Sequence, residues 1–150
     1  MDQEHKSKVV AWWCSGSTGI TKCDSAPNSI HFTAPVARGG LEGRWAPEEL
    51  LLASLASCFA TTFRGFATES HLVYTNLQVD AQGVVHMADA QPCLDQILVR
   101  AHLTLPGNNN RDLAAKLLSK TLEECEVSRA LAIHPSLEQA VTVNGTVIVA

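Results

Sequence analysis

From Leu50 to Phe63 the chain carries no charged residue, and Leu50, Leu51, Leu52, Ala53, Leu55, Ala56, Phe59, Ala60 and Phe63 leave almost no polar face on a helix. The segment before it, Pro47-Glu48-Glu49, reads as a helix start. Proline suits the first helical position, and carboxylates suit the positive end of the helix dipole. The helix is predicted to run to about Ser70. A helix apolar on every side is buried on every side. One sheet covers only one of those sides, so a second body must cover the other, and another subunit is the simplest candidate. The uncharged run falls short of the roughly 18 residues that begin to suggest a membrane span, and no membrane partner is expected.

The remaining segments alternate. Lys8-Val9-Val10-Ala11-Trp12-Trp13 is aromatic and β-branched, as strands are, and Asn28–Thr33 is a weaker strand candidate. Ser15-Gly16-Ser17-Thr18-Gly19 is turn chemistry, and 35–45, with three glycines and two arginines, reads as a loop. Leu77, Val79, Ala81, Val85 and Met87 alternate with polar residues, as do Ile97, Val99, Ala101, Leu103 and Leu105. At the end of the chain Val141, Val143, Val147 and Val149 alternate with Thr142, Asn144 and Thr146. Each pattern predicts a strand with one buried face. Leu113, Leu117, Leu118, Thr121 and Leu122 are spaced for a second helix over 110–124, and 127–131 is suited to another turn of helix. The order predicts an α+β fold in one domain over residues 1–150, with helices on one face of a largely antiparallel sheet.

A chain of 150 residues can bury a real core. Its net charge of −4, without a Lys/Arg run, offers no electrostatic footprint for nucleic acid. The polar, charged start predicts no secretory signal and a cytoplasmic protein. Five cysteines, with no CxxC pair, argue for free or reactive thiols over a disulfide framework. The spacing of Cys14 and Cys23 does not suit zinc, and no metal, flavin or nicotinamide motif is present. Cys14 is expected on a strand, and Cys23 and Cys93 in loops. The six histidines form no dyad by spacing. Trp12 and Trp13 read as core or interface aromatics. Cys58, taken alone, is a space-filling helix cysteine. Cys125 stands where one helix ends and another can begin. There the dipole would lower its pKa and the adjacent Glu126 would raise it.

Two stretches together resemble the OsmC/Ohr family of osmotically induced and organic-hydroperoxide-reducing thiol proteins. Its pattern is an arginine, a glycine-rich loop, Asn-Pro-Glu-Glu-Leu and a helix with Ala-Cys-Phe. Here stand Arg38, Gly39-Gly40, Pro47-Glu48-Glu49-Leu50 and Ser57-Cys58-Phe59. Further on, Cys125-Glu126-Val127-Ser128 resembles the family's Cys-Pro-Val-Ser. The resemblance implies an OsmC-like α+β fold with a long central buried helix, and the all-round apolar helix adds the expectation of an intertwined homodimer. It implies that Cys58 is the peroxidatic thiol, Cys125 the resolving thiol, and Arg38 with Glu48 the activating pair. The substrate would be an organic hydroperoxide, in a pocket lined by Leu51, Leu55 and Phe59, and the reductant a small dithiol or dithiol protein. Arg44 lies in the same loop as Arg38 and is the alternative cation. A non-catalytic OsmC-like binding or redox-responsive domain is the alternative function.

Two departures and one distance qualify the match. Ala46 replaces the asparagine and removes an N-cap side chain worth about 1 kcal/mol. Glu126 replaces the proline after the second cysteine, which is expected to raise the pKa of Cys125 and slow its attack. Glu48 and Cys58 are ten residues apart, about 15 Å on a straight helix. Either that helix breaks, or Arg38 and Glu48 serve the Cys58 of another copy.

Overall fold

The computed structural model describes residues 4–143 and 146–149. It divides into two compact units, one ending at Leu51 and the other beginning at Leu52, so the division falls inside the long helix.

The first unit is a small antiparallel sheet in the order β1-β2-β3, from β1 (Val9–Ser15), β2 (Thr18–Cys23) and β3 (Ile30–Phe32). β1 and β2 form a hairpin whose turn contains Gly16 at φ 57°. The expected turn chemistry is confined to that corner. Thr18 and Ile20 already belong to β2, a strand too short for alternation to reveal. Trp12 and Trp13 are 48% and 58% exposed, so neither is a core residue of the single chain. After β3, Thr33 is buried; its Oγ1 donates to the Ser17 carbonyl in the β1–β2 turn and accepts the Leu41 N–H, tying the middle of the following loop to that turn.

The helix α1 (Pro47–Glu69) begins in this unit. The missing N-cap side chain at Ala46 is offset from the other direction. The Glu49 carboxylate accepts the Ala46 N–H at 2.7 Å, which is the returning half of a capping box. α1 runs unbroken for 23 residues, long and apolar enough by length and composition to cross a membrane. Leu55, Phe59, Phe63 and Ala67, four apart, instead form a stripe in a protein core. Only that stripe is fully buried. Leu51, Leu52, Ala53, Ala56 and Ala60 are half-buried, so within the single chain only one side of the helix is covered, as the sequence anticipated. One sheet and one helix reach only one side of it.

The second unit is built on a four-stranded sheet, β4-β5-β6-β7, from β4 (Asn76–Ala88), β5 (Gln91–Leu105), β6 (Ser136–Val143) and β7 (Thr146–Val149). β4 pairs antiparallel with β5 through a two-residue turn at Asp89 and Ala90, both at positive φ. β5 and β6 run parallel, and the helices α2 (Arg111–Glu124) and α3 (Glu126–Ala130) make the crossover that parallel neighbours require. The sheet is therefore mixed, because a helix, not a hairpin, joins β5 to β6. Alternation at the end of the chain suggested one strand; the structure has two, β6 and β7. The Asn-Gly dipeptide between them is a hairpin signal that alternation passes over. Asn144 itself lies outside the described residues.

Ile97, Val99, Ala101, Leu103 and Leu105 point inward from β5 and meet the α1 stripe, Ala114, Leu117 and Leu118 of α2, and Val141 of β6. Phe63 stacks edge-on against Tyr74 at 5.5 Å. On the other face Arg100 bonds Glu138 and Gln82, and His102 approaches Asp80 at 3.4 Å. One apolar and one charged face give the sheet its alternation. Each large side chain of the α1 stripe contributes about 1.5–3 kcal/mol by burial.

Phe63→Ala is expected to cost about 3–5 kcal/mol in urea unfolding, against less than about 0.5 for the exposed Ser54→Ala. A loss below about 1 kcal/mol would contradict this packing. Ala90, at φ 62°, pays the left-handed penalty for a residue with a Cβ. Ala90→Gly should accordingly stabilise by about 0.5–1 kcal/mol, and destabilisation in the same assay would refute the turn geometry.

Candidate functional site

Cys58 lies one residue before the inward-facing Phe59, which leaves its thiol half-buried at the margin of the core. Cys125 is fully buried. It ends α2 and caps α3 in extended backbone (φ −60°, ψ 121°), with its N–H given to the Thr121 carbonyl at 2.8 Å. The chain breaks direction there, and α3 begins facing Cys58.

Cys58 and Cys125 act on one another, and their surroundings shift the two thiols in opposite directions. Burial opposes ionisation of Cys58. It is outweighed by the polar groups around the sulfur, the Cys125 thiol first, then the Val127 N–H, the Thr62 hydroxyl and the Glu126 N–H. The net pKa of Cys58 is lowered. Burial raises Cys125, the Cys58 sulfur raises it further, and it is pushed up to about 11. The buried thiol keeps its proton and offers it to its neighbour.

Cys125 thus meets the expected helix start, and the amides at the start of α3 act on both sulfurs, Val127 and Glu126 on Cys58, Ser128 and Val127 on Cys125. The charge of Glu126 is not among the chief causes of the Cys125 shift. Its side chain is exposed to solvent, while its backbone N–H acts on Cys58. A proline there has no N–H to give. The direction expected for Cys125 is found, with burial and Cys58 as its chief causes. Thr62, one turn beyond Cys58 on α1, is a contributor that sequence reasoning missed; the i, i+4 spacing was the available clue.

Arg38 and Glu48 are brought together in the first unit, where Arg38 Nη2 donates to Glu48 Oε1. A short 3-10 turn, Val36–Arg38, holds the arginine. The N–H groups of Arg38 and Gly40 both bond the Pro35 carbonyl, at 2.8 and 3.1 Å. Gly40 is required, since a Cβ there would lie 1.5 Å from the Ala34 carbonyl oxygen. The other carboxylate oxygen, Glu48 Oε2, is buried with no hydrogen-bond partner among the described residues. Arg44 is exposed and is not the residue paired with Glu48. Glu48 lies in the first unit and Cys58 in the second.

Of the expected pocket residues, Leu55 and Phe59 are fully buried. They form the packed floor behind Cys58 and expose no surface to a ligand. Leu51 is half-buried. Cys14 is on β1 as expected, whereas Cys23 and Cys93 lie on β2 and β5, not in loops.

A long apolar helix carrying one thiol, a crossover carrying a second and a mixed sheet beneath define a two-thiol α+β protein. The chain belongs to the OsmC-like protein family, whose description matches residues 40–139. It is 24% identical over 147 residues to YmaD of Bacillus subtilis strain 168, a protein without an assigned function, covering 95% of this chain and 98% of that one. An OsmC-like protein of unknown function from Vibrio cholerae shares the fold at a TM-score of 0.81, with 14% identity over 91% of this chain and 99% of the other. The organic hydroperoxide resistance protein OhrB of Bacillus subtilis superposes at a TM-score of 0.65, with 20% identity over 93% and 98% of the two chains. At these identities the likeness establishes the fold.

The opposed shifts set the order of reaction. A lowered pKa populates the thiolate at lower pH, so Cys58 is alkylated first as pH rises. Iodoacetamide at about pH 8 is expected to label Cys58 and spare Cys125, with a Cys58 rate midpoint below the ordinary 9.0. A midpoint at or above 9.0 would refute the arrangement. The linked stability has two signs. Cys58 adds stability as pH rises toward 9.0, and Cys125, which holds its proton more tightly when folded, removes stability between 9.0 and about 11.

Proposed function

We propose that the protein is a thiol peroxidase that reduces organic hydroperoxides, working in the cytoplasm as one OsmC-like domain per chain. What carries this reading is the pair of thiols shifted in opposite directions: Cys58 toward ionisation, and beside it the buried Cys125, which keeps its proton. The Cys58 thiolate attacks the O–O bond, taking one oxygen as sulfenic acid. The other oxygen leaves as alkoxide and is protonated to the alcohol. Cys125 then condenses with the sulfenic acid, releasing water and forming the Cys58–Cys125 disulfide. Exchange with a small dithiol or dithiol protein restores both thiols.

The high pKa of Cys125 does not block the second step. Part of it comes from the Cys58 sulfur. Oxidation of Cys58 removes that negative charge, so Cys125 ionises more readily once it has a sulfenic acid to attack. Arg38, oriented by Glu48, is the proposed activating cation. In the proposed homodimer it would act on the Cys58 of the second copy. The half-exposed side of α1 and the exposed Trp12 and Trp13 support the same assembly. In that dimer Leu51 would contribute surface to the substrate's apolar part, with Leu55 and Phe59 behind it.

The test is consumption of an organic hydroperoxide with a dithiol reductant. Cys58→Ser is expected to abolish turnover, and Arg38→Ala to slow it about tenfold or more. Equal, slow consumption by the unmodified chain and Cys58→Ser would leave a non-catalytic redox-responsive domain as the better account. Sedimentation as a monomer at micromolar concentration would refute the shared site.

A further inference from the structure

We propose that Cys93 is a second reactive thiol, assisted by His86 and Asp95, at which small disulfides form a mixed disulfide with the protein. The site lies where β4 and β5 continue as a two-stranded ribbon beyond the part of β5 that pairs with β6. His86 and Cys93 are direct cross-strand partners, so their side chains leave the same face with Cβ atoms about 4.5–5.5 Å apart.

The third member is placed by an irregularity. Val84 pairs with Gln96 and Val85 with Leu94, which leaves Asp95 as an extra residue on β5. Such a bulge re-aims a side chain. Here the Asp95 carboxylate lies 3.2 Å from His86 Nδ1. In a regular ladder Asp95 would face a residue of β4 directly; displaced, it meets the imidazole that stands opposite Cys93.

The arrangement has a thiol, a base and a group orienting the base. The Asp95 carboxylate, 3.2 Å from Nδ1, favours the proton on that nitrogen and leaves the other ring nitrogen of His86 as the acceptor. Cys93 is exposed, and His86 and Asp95 are 49% and 39% exposed, so a small molecule reaches all three. The Cys93 proton passes to His86 Nε2 and the thiolate attacks one sulfur of the disulfide. A bond forms between Cys93 Sγ and that sulfur while the original S–S bond breaks. The departing thiolate takes the proton as a free thiol. Cys93 is oxidised, the released sulfur is reduced, and no further reagent is needed. None of the residues assigned to Cys58 takes part.

Cys14 provides an internal reference, being an exposed strand thiol on β1. The folded chain would be incubated with glutathione disulfide and the modification of each cysteine followed by peptide mass spectrometry. Cys93 is expected to react about tenfold faster than Cys14, short of the roughly 100-fold that a fully positioned base contributes. His86→Gln should bring Cys93 down to the Cys14 rate, and Asp95→Asn should slow it. Both changes are on the surface, and circular dichroism checks that the fold is kept. A Cys93 rate no higher than that of Cys14, or one unaltered by His86→Gln, would overturn the proposal.

Discussion

The contact on which the candidate site depends is the one between the Cys58 sulfur and the start of α3. It requires that α1 be fixed in rotation and that the crossover chain turn at one place. The stripe Leu55, Phe59, Phe63 and Ala67 provides the first, because turning the helix would expose two phenylalanines. The break at Cys125 provides the second. An α2 continued past Glu124 would direct its next N–H groups to its own carbonyls. Stopping at a buried cysteine frees them for a neighbour. Lys120 of α2, 4.2 Å from the Phe66 ring, adds a cation–π contact between the two helices.

Much of this was legible in the sequence, for identifiable reasons. α1 announced itself through proline, two glutamates and a long uncharged run; β4, β5 and α2 are long enough for periodicity to speak. β2 and the split between β6 and β7 were hidden because their information lies in turn residues. The cysteine pair and the Arg38–Glu48 pair were legible only as motifs, since their partners meet across loops and crossovers. No spacing rule could show that a backbone N–H at Glu126 faces Cys58, or that a bulge presents Asp95 to His86. Spacing finds dyads along one element; these form between elements.

The charge of a residue and the service of its backbone can point in different directions, and Glu126 shows both. Viewed as a carboxylate beside a thiol it is a handicap. Viewed as a residue that retains an amide hydrogen, it is one of the groups that lower the pKa of Cys58. A substitution that departs from a family pattern therefore has to be judged by all the atoms it brings. Ala46 teaches the same through Glu49, which supplies from three residues away the hydrogen bond that closes the helix start.

The parallel pairing of β5 with β6 has a bearing on how the chain reaches this state. An antiparallel hairpin can zip from its turn, but a parallel pair must wait until the intervening helices have closed a long loop. Cys125 sits within that loop, at the junction of α2 and α3. Cys58 therefore gains its donors late in folding, after the crossover has docked. A nascent or partly opened chain carries Cys58 as an ordinary thiol, and its special acidity is a mark that the last long-range contacts are in place.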